Sequence, residues 1–133
     1  MDCLLIRINP LYSDYHRNIE FIRLLRTDPR TEKMFLEQVN ITPEQQEKYM
    51  ERNFNNYFLC ISKHDFIPLG YIGVINNDIR YCVVPYYHGL GIGTYMLKEI
   101  KSLFSKATGR IKKENYASIR AFEKAGIPYE IIQ

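Results

Sequence analysis

Between Tyr81 and Ile100 the sequence reads YCVVPYYHGLGIGTYMLKEI, and few folds accommodate such a stretch. The β-prone run Tyr81, Cys82, Val83, Val84 stops at Pro85. The chain passes through Gly89, Gly91 and Gly93, and Ile92, Met96, Leu97 and Ile100 then recur at helical spacing. This order predicts strand, glycine loop, helix. Glycines at that junction let main-chain N–H groups approach a ligand without Cβ in the way, and the helix start adds the positive end of a dipole. The stretch is either a tight turn or an anion seat.

Two nucleotide readings fail on the residues. A P-loop needs Lys and then Ser or Thr after its last glycine, whereas Thr94 and Tyr95 follow Gly93. A dinucleotide fingerprint needs glycine where Thr94 stands, and room for further βαβ units that the remaining forty or so residues do not offer.

The chain of 133 residues is expected to form one domain, residues 1–133, long enough to bury roughly two thirds of its unfolded surface. A hydrophobic fraction of 46% with 25% charged residues is that of a soluble globular protein, and a net charge of +3 is too small to argue for nucleic acid. Cys3, Cys60 and Cys82 are widely spaced and odd in number, which reads as buried free thiols of a reducing, cytoplasmic setting. No pattern of Cys or His has metal-ligand spacing, so no metal is expected. Neither a signal peptide nor a membrane span is expected, since no apolar run approaches the length of either.

Taken in order, Cys3 to Ile8 predicts an opening strand, and Ile19, Ile22 and Leu25 mark one face of a helix from about Asp14 to Arg26. Asp28 before Pro29 predicts a short second helix to about Leu36, and Thr42 with Gln45 forms a capping box for a third, from Pro43 to about Arg52. The period then changes. Tyr57–Ser62, Leu69–Ile75 and Ile79–Val84, separated by turn residues, predict an antiparallel meander. After the glycine-loop helix, expected to reach about Ser105, come a strand at Arg110–Lys112, a helix at Tyr116–Ala125 closed by Gly126, and a strand at Tyr129–Ile132. The fold class is α+β, or mixed α/β.

His88, Gly89, Leu90, Gly91, Ile92, Gly93, preceded by Val83, Val84, Pro85, resembles the acetyl-CoA loop of the GNAT (Gcn5-related) N-acetyltransferases, with His88 in place of the usual Arg or Gln. A second stretch, Asn115 to Gly126 (NYASIRAFEKAG), is similar to the family's Asn-x-x-Ser/Ala followed by aromatic-Glu-Lys-x-Gly. By themselves Asn115 is an N-cap and Gly126 a C-cap. Together the two motifs, in the family's order, extend the resemblance over roughly residues 57 to 127. It implies a mixed, mostly antiparallel sheet with a splayed central strand pair and helices on both faces.

In such a fold acetyl-CoA lies in the opening beside the central strand. Its pantetheine amides pair with main-chain groups of Cys82, Val83 and Val84, its pyrophosphate rests on the amides of Leu90, Gly91, Ile92, Gly93 and Thr94 beside His88 and Gly89, and Asn115, Ser118, Phe122 and Lys124 face it from the last helix. The basic run Lys98, Lys101, Lys106, Arg110, Lys112, Lys113 is either a solvated face or a seat for the 3′-phosphate.

The implied reaction is direct attack of a small molecule's primary amine on the thioester, with a main-chain N–H near Val83 polarising the carbonyl. The family's acidic Tyr corresponds to Phe122, which has no proton to give, so Ser118 through a water is the candidate acid, or there is none. Asp78 is the candidate base; His16, His64 and Glu20 are weaker ones. The acceptor belongs to the N-terminal half, loosely similar to members that acetylate amino sugars on nucleotides, for which Arg23, Arg26 or Arg30 would meet a phosphate. Alternatives are a CoA-binding regulatory relative that has lost efficient catalysis, and a protein N-acetyltransferase, which would call for an acidic groove that this mildly basic chain does not advertise. A final strand with a free edge carrying Tyr129, Ile131 and Ile132 suggests a homodimer.

Overall fold

Asn76 and Asn77 both adopt positive φ, at 51° and 66°, the geometry of a two-residue hairpin turn whose twist matches that of its strands. The turn joins Pro68–Ile75 (β3) to Asp78–Val83 (β4), with Ile75 opposite Asp78 and Gly70 opposite Val83. A computed structural model describes residues 2–37 and 39–133. Cys3–Arg7 (β1), Tyr57–Ser62 (β2), β3 and β4 make a four-stranded antiparallel sheet in sequence order. Gly109–Lys112 (β5) and Tyr129–Ile132 (β6) form a parallel pair, joined by the helix Tyr116–Ala125. The architecture is the mixed α+β arrangement that the sequence predicts.

The sheet divides two cores. In β2, Phe58 and Cys60 face one side and Tyr57, Leu59 and Ile61 the other, as period-two alternation requires. Tyr15–Thr27 (α1) and Pro43–Asn53 (α2) cover the second side, through Ile19, Ile22, Leu25 and Met50. Ile92–Leu103 (α3) and Tyr116–Ala125 (α4) cover the first, through Ile92, Met96, Leu97, Ile100, Ala121 and Phe122. The Thr42–Gln45 capping box is formed reciprocally, and the Gln46 amide, buried, donates to the Ile19 carbonyl at 2.8 Å and locks α2 onto α1. Cys3, Cys60 and Cys82 are buried free thiols.

Two boundaries differ from expectation for local reasons. Pro29–Met34 is a 3-10 segment rather than an α-helix reaching Leu36. Asp28 caps it as foreseen, but the fully buried Thr31 hydroxyl lies 2.8 Å from the Leu25 carbonyl and 2.9 Å from that of Asp28, tying the segment back onto the end of α1. The helix α3 stops at Leu103 instead of Ser105, because Phe104 leaves helical geometry and its carbonyl accepts from Ala107 in a turn. Among the described residues no helix is long and apolar enough to cross a membrane.

Candidate active site

The strands β4 and β5 run side by side only at their first residues. A single parallel bridge joins Asp78 to Thr108, the Ile79 amide donates to the Thr108 carbonyl at 2.9 Å, and the Thr108 amide donates to Asn77. Beyond it β4 stays with β3 and β5 with β6, and the two strands part. Main-chain groups of successive residues point to opposite edges of a strand. With Ile79 turned toward β5 and the Val84 amide donating to Leu69 beside β3, it is Tyr81 and Val83 whose main-chain groups face the opening.

At the open end of β4 the chain turns through a short 3-10 segment, Pro85–Tyr87, into the glycine loop. Gly89 and Gly91 have φ of 82° and 83°, in the left-handed region, with no neighbour close to where a Cβ would stand. It is backbone conformation, not space, that requires glycine there. Gly91 is the N-cap of α3 and offers no side-chain cap, and the first turn contains no acidic residue. The amides that open a helix lack partners within it, so this turn presents donors and the positive dipole end to one wall of a cavity of about 290 Å³. His88 turns its ring inward, and Nε2 lies 2.9 Å from the Val83 carbonyl, fastening the loop to the end of the strand.

This glycine-loop cavity brings together Cys82, Val83, His88, Gly89, Gly91, Ile92, Gly93, Thr94, Asn115, Ser118 and Lys124. It does not include Val84, whose amide donates to Leu69 and whose carbonyl accepts from Tyr87. Leu90 points to solvent, 47% exposed. Phe122 is packed in the core with its ring against Gly109, where a Cβ would come within 2.3 Å of it. The basic run from Lys98 to Lys113 does not border this cavity; the cations that do are Arg120 and Lys124, on α4. Arg120 escaped the sequence reading, though its place one turn before Lys124 on the same helix was a usable signal.

A second cavity, about 660 Å³, opens between α1, α2 and the parted strands. Asp78 lines it, but its carboxylate is engaged. Arg110 Nη2 lies 3.3 Å and Arg80 Nε 3.7 Å from Oδ2, and Arg110 Nε 3.4 Å from Oδ1. The other base candidates stand elsewhere: His16 is exposed and bonded to Glu47 at 2.8 Å, a partner the sequence did not suggest, and Glu20 is held by Arg23, whose hydrogen bonds keep its carboxyl below the usual range. His64 sits in an exposed turn.

Met34, Tyr81, Asn115 and Ser118 line both cavities. There the Tyr81 hydroxyl meets Ser118 Oγ at 2.6 Å, while the Asn115 side chain accepts from the Ser118 amide at 3.2 Å and caps α4. The Tyr81 ring packs edge-on against Phe122, centroids 5.8 Å apart. Burial pushes the Tyr81 phenol up to about 12, against a smaller lowering by the Ser118 bond, so it is a neutral donor at physiological pH. Cys82, next in the chain but on the opposite face, is likewise raised by burial to about 12 and is no nucleophile.

The sequence from residue 6 to residue 127 matches the family model described as an acetyltransferase (GNAT) domain. The chain belongs to the GNAT acetyltransferases. Among solved structures, this GNAT domain is similar to a GNAT-family acetyltransferase from Bacillus anthracis, at 19% identity over 95% of this chain and 80% of that one, with a TM-score of 0.71. A domain from Methanocaldococcus jannaschii matches with a TM-score of 0.77 at 17% identity, over 94% of this chain and 87% of the other. Spermidine N-acetyltransferase from Vibrio cholerae, solved with CoA and spermine, gives 0.74 at 13% identity, over 94% and 80%. Likeness at these identities shows the fold. Among curated proteins none matches the sequence.

Proposed function

We propose that this GNAT domain moves an acetyl group from acetyl-CoA to a primary amine of a small molecule. One observation carries the reading: a glycine-loop cavity and a larger cavity meet at a hydrogen-bonded Tyr81–Ser118 pair. The first suits the pyrophosphate and pantetheine of CoA, with the main-chain groups of Tyr81 and the Val83 amide turned to the opening as for an added strand, the Val83 carbonyl being held by His88, and Arg120 and Lys124 nearby for further phosphate. The second suits the amine.

In this reading the neutral amine attacks the thioester carbonyl. A C–N bond forms, the carbonyl π pair moves onto oxygen near the Val83 N–H, and collapse breaks the C–S bond with the pair leaving on sulfur. Tyr81 gives its proton to that sulfur, and the proton shed by nitrogen returns to Tyr81 through Ser118 Oγ. The return matters, because a phenol raised to about 12 would not protonate a thiolate of ordinary pKa near 8.5 without it. Phe122 is then no defect, since the hydroxyl absent from α4 is supplied from β4. We assign proton removal to the Ser118 relay rather than to Asp78, whose oxygens face two guanidiniums.

The test is release of CoA thiol from acetyl-CoA over a panel of polyamines, amino sugars and amino acids, with the acetylated amine confirmed by mass. Bound acetyl-CoA with no release above background for any amine would sink the enzymatic reading and leave a CoA-binding relative.

A further inference from the structure

The wall of the larger cavity is unevenly charged. Arg26, Arg80 and Arg110 face Asp78 and Glu37, a surplus of one positive charge. Asp78 is occupied by Arg80 and Arg110, which leaves Arg26 as the guanidinium without a carboxylate. Its neighbours on the sequence differ in this respect. Arg23 is spent on Glu20, at 2.6 Å, and on the Ile41 carbonyl, and Arg30 on Asp28, at 2.7 Å. Neither lines the cavity.

Arg26, in the last turn of α1, places Cζ over the Phe35 ring, 3.9 Å from its centroid, and Nη2 donates to the Glu37 carbonyl at 3.2 Å. Nη1 is buried with no hydrogen-bond partner among the described residues. A charged donor withdrawn from water and left unpaired is costly, and such a group in a cavity wall marks the place where a partner docks. Contact with the Phe35 ring and the bond to the Glu37 carbonyl hold the guanidinium in the cavity wall before a ligand arrives. Arg26 lines the same cavity as the Tyr81–Ser118 pair.

Resting on the acetyltransferase reading, we propose that the amine acceptor carries an oxyanion, a carboxylate or phosphate, and that Arg26 is the residue that receives it. A planar fork pairs with either group through parallel N–H bonds. The same wall disfavours a polyamine: among its described residues only Glu37 is a carboxylate not already facing guanidiniums, and it is exposed.

The test uses the protein saturated with CoA and titrated calorimetrically with ethanolamine, O-phosphoethanolamine, β-alanine and spermidine. At least one anionic amine is expected to bind about tenfold to a hundredfold more tightly than ethanolamine, the usual gain of a hydrogen bond to a charged group; whether phosphate or carboxylate wins identifies the oxyanion. R26Q is expected to abolish the preference with CoA affinity unchanged, and R23Q to keep it. Spermidine binding most tightly, neither anionic amine binding at millimolar concentration, or R26Q retaining the preference would each overturn the proposal. The wild-type ranking decides even if R26Q does not fold. Failure of CoA itself to bind would strike the acetyltransferase reading, whereas tight CoA with tight spermidine strikes only the oxyanion.

Discussion

Replacing Tyr81 by Phe removes one oxygen from the wall shared by the two cavities and leaves the ring against Phe122 in place. We expect kcat for thiol release to fall about 10²-fold, at the low end of general acid catalysis because a thiolate leaves readily, with the acceptor KM little changed. S118A should cost a similar factor, and the double variant little more, since both residues serve one relay; fully multiplicative losses would contradict it. Because the Tyr81 phenol sits near 12, the wild-type rate should show no loss of the acid at pH 10; a decline centred there would argue against Tyr81.

Along β4 the open end depends on close approach to β3. A Cβ on Gly70 would stand 2.5 Å from the Cys82 carbonyl oxygen and 3.2 Å from the Val83 Cα, so G70A should push the strand edge aside. The expected cost is about 1–3 kcal/mol in urea unfolding, with weaker CoA binding. G91A meets nothing, and its penalty, about 1 kcal/mol, comes only from the left-handed φ of 83°. Elements of this kind were legible in the sequence where the cause is local: Thr42 with Gln45, Asn76–Asn77, and Gly126 as a C-cap all occupy their expected places. The glycine loop was legible too. The Tyr81–Ser118 pair was not, because its partners are 37 positions apart and meet only across the parted strands, and Tyr81 reads in sequence as one more strand aromatic. Nor was Arg26 separable from Arg23 and Arg30, since what distinguishes it is which carboxylates happen to lie within reach of the other two. The Pro29–Met34 segment departs from the predicted helix because Thr31 makes its decisive bond to Leu25, six residues back, outside the window of a capping pattern.

For the molecule as a whole, folding keeps two buried acids neutral to a higher pH than the unfolded chain would. Tyr81 and Cys82, ordinarily at 10.0 and 9.0, are both raised to about 12 by burial. A group raised on folding holds its full stabilisation below its unfolded pKa and loses it as pH climbs through the folded one. Stability should therefore be level up to about pH 9 and fall between 10 and 12 by about 1.4 kcal/mol per pH unit for each of the two groups. Urea midpoints at pH 8, 10 and 11 check this, and a flat profile would refute it. We also propose that two copies associate along the outer edge of β6, where Ile131 is 37% exposed; sedimentation showing monomer alone at micromolar concentration would end that idea. The single bridge between Asp78 and Thr108 has a thermodynamic corollary. A ladder that closes at one end and then opens leaves amide sites on β4 whose protection is conditional. If CoA completes the ladder, amide exchange at Val83 should slow when it is added, and the melting temperature should climb with the logarithm of its concentration. The domain would then be a little more folded whenever its donor is plentiful.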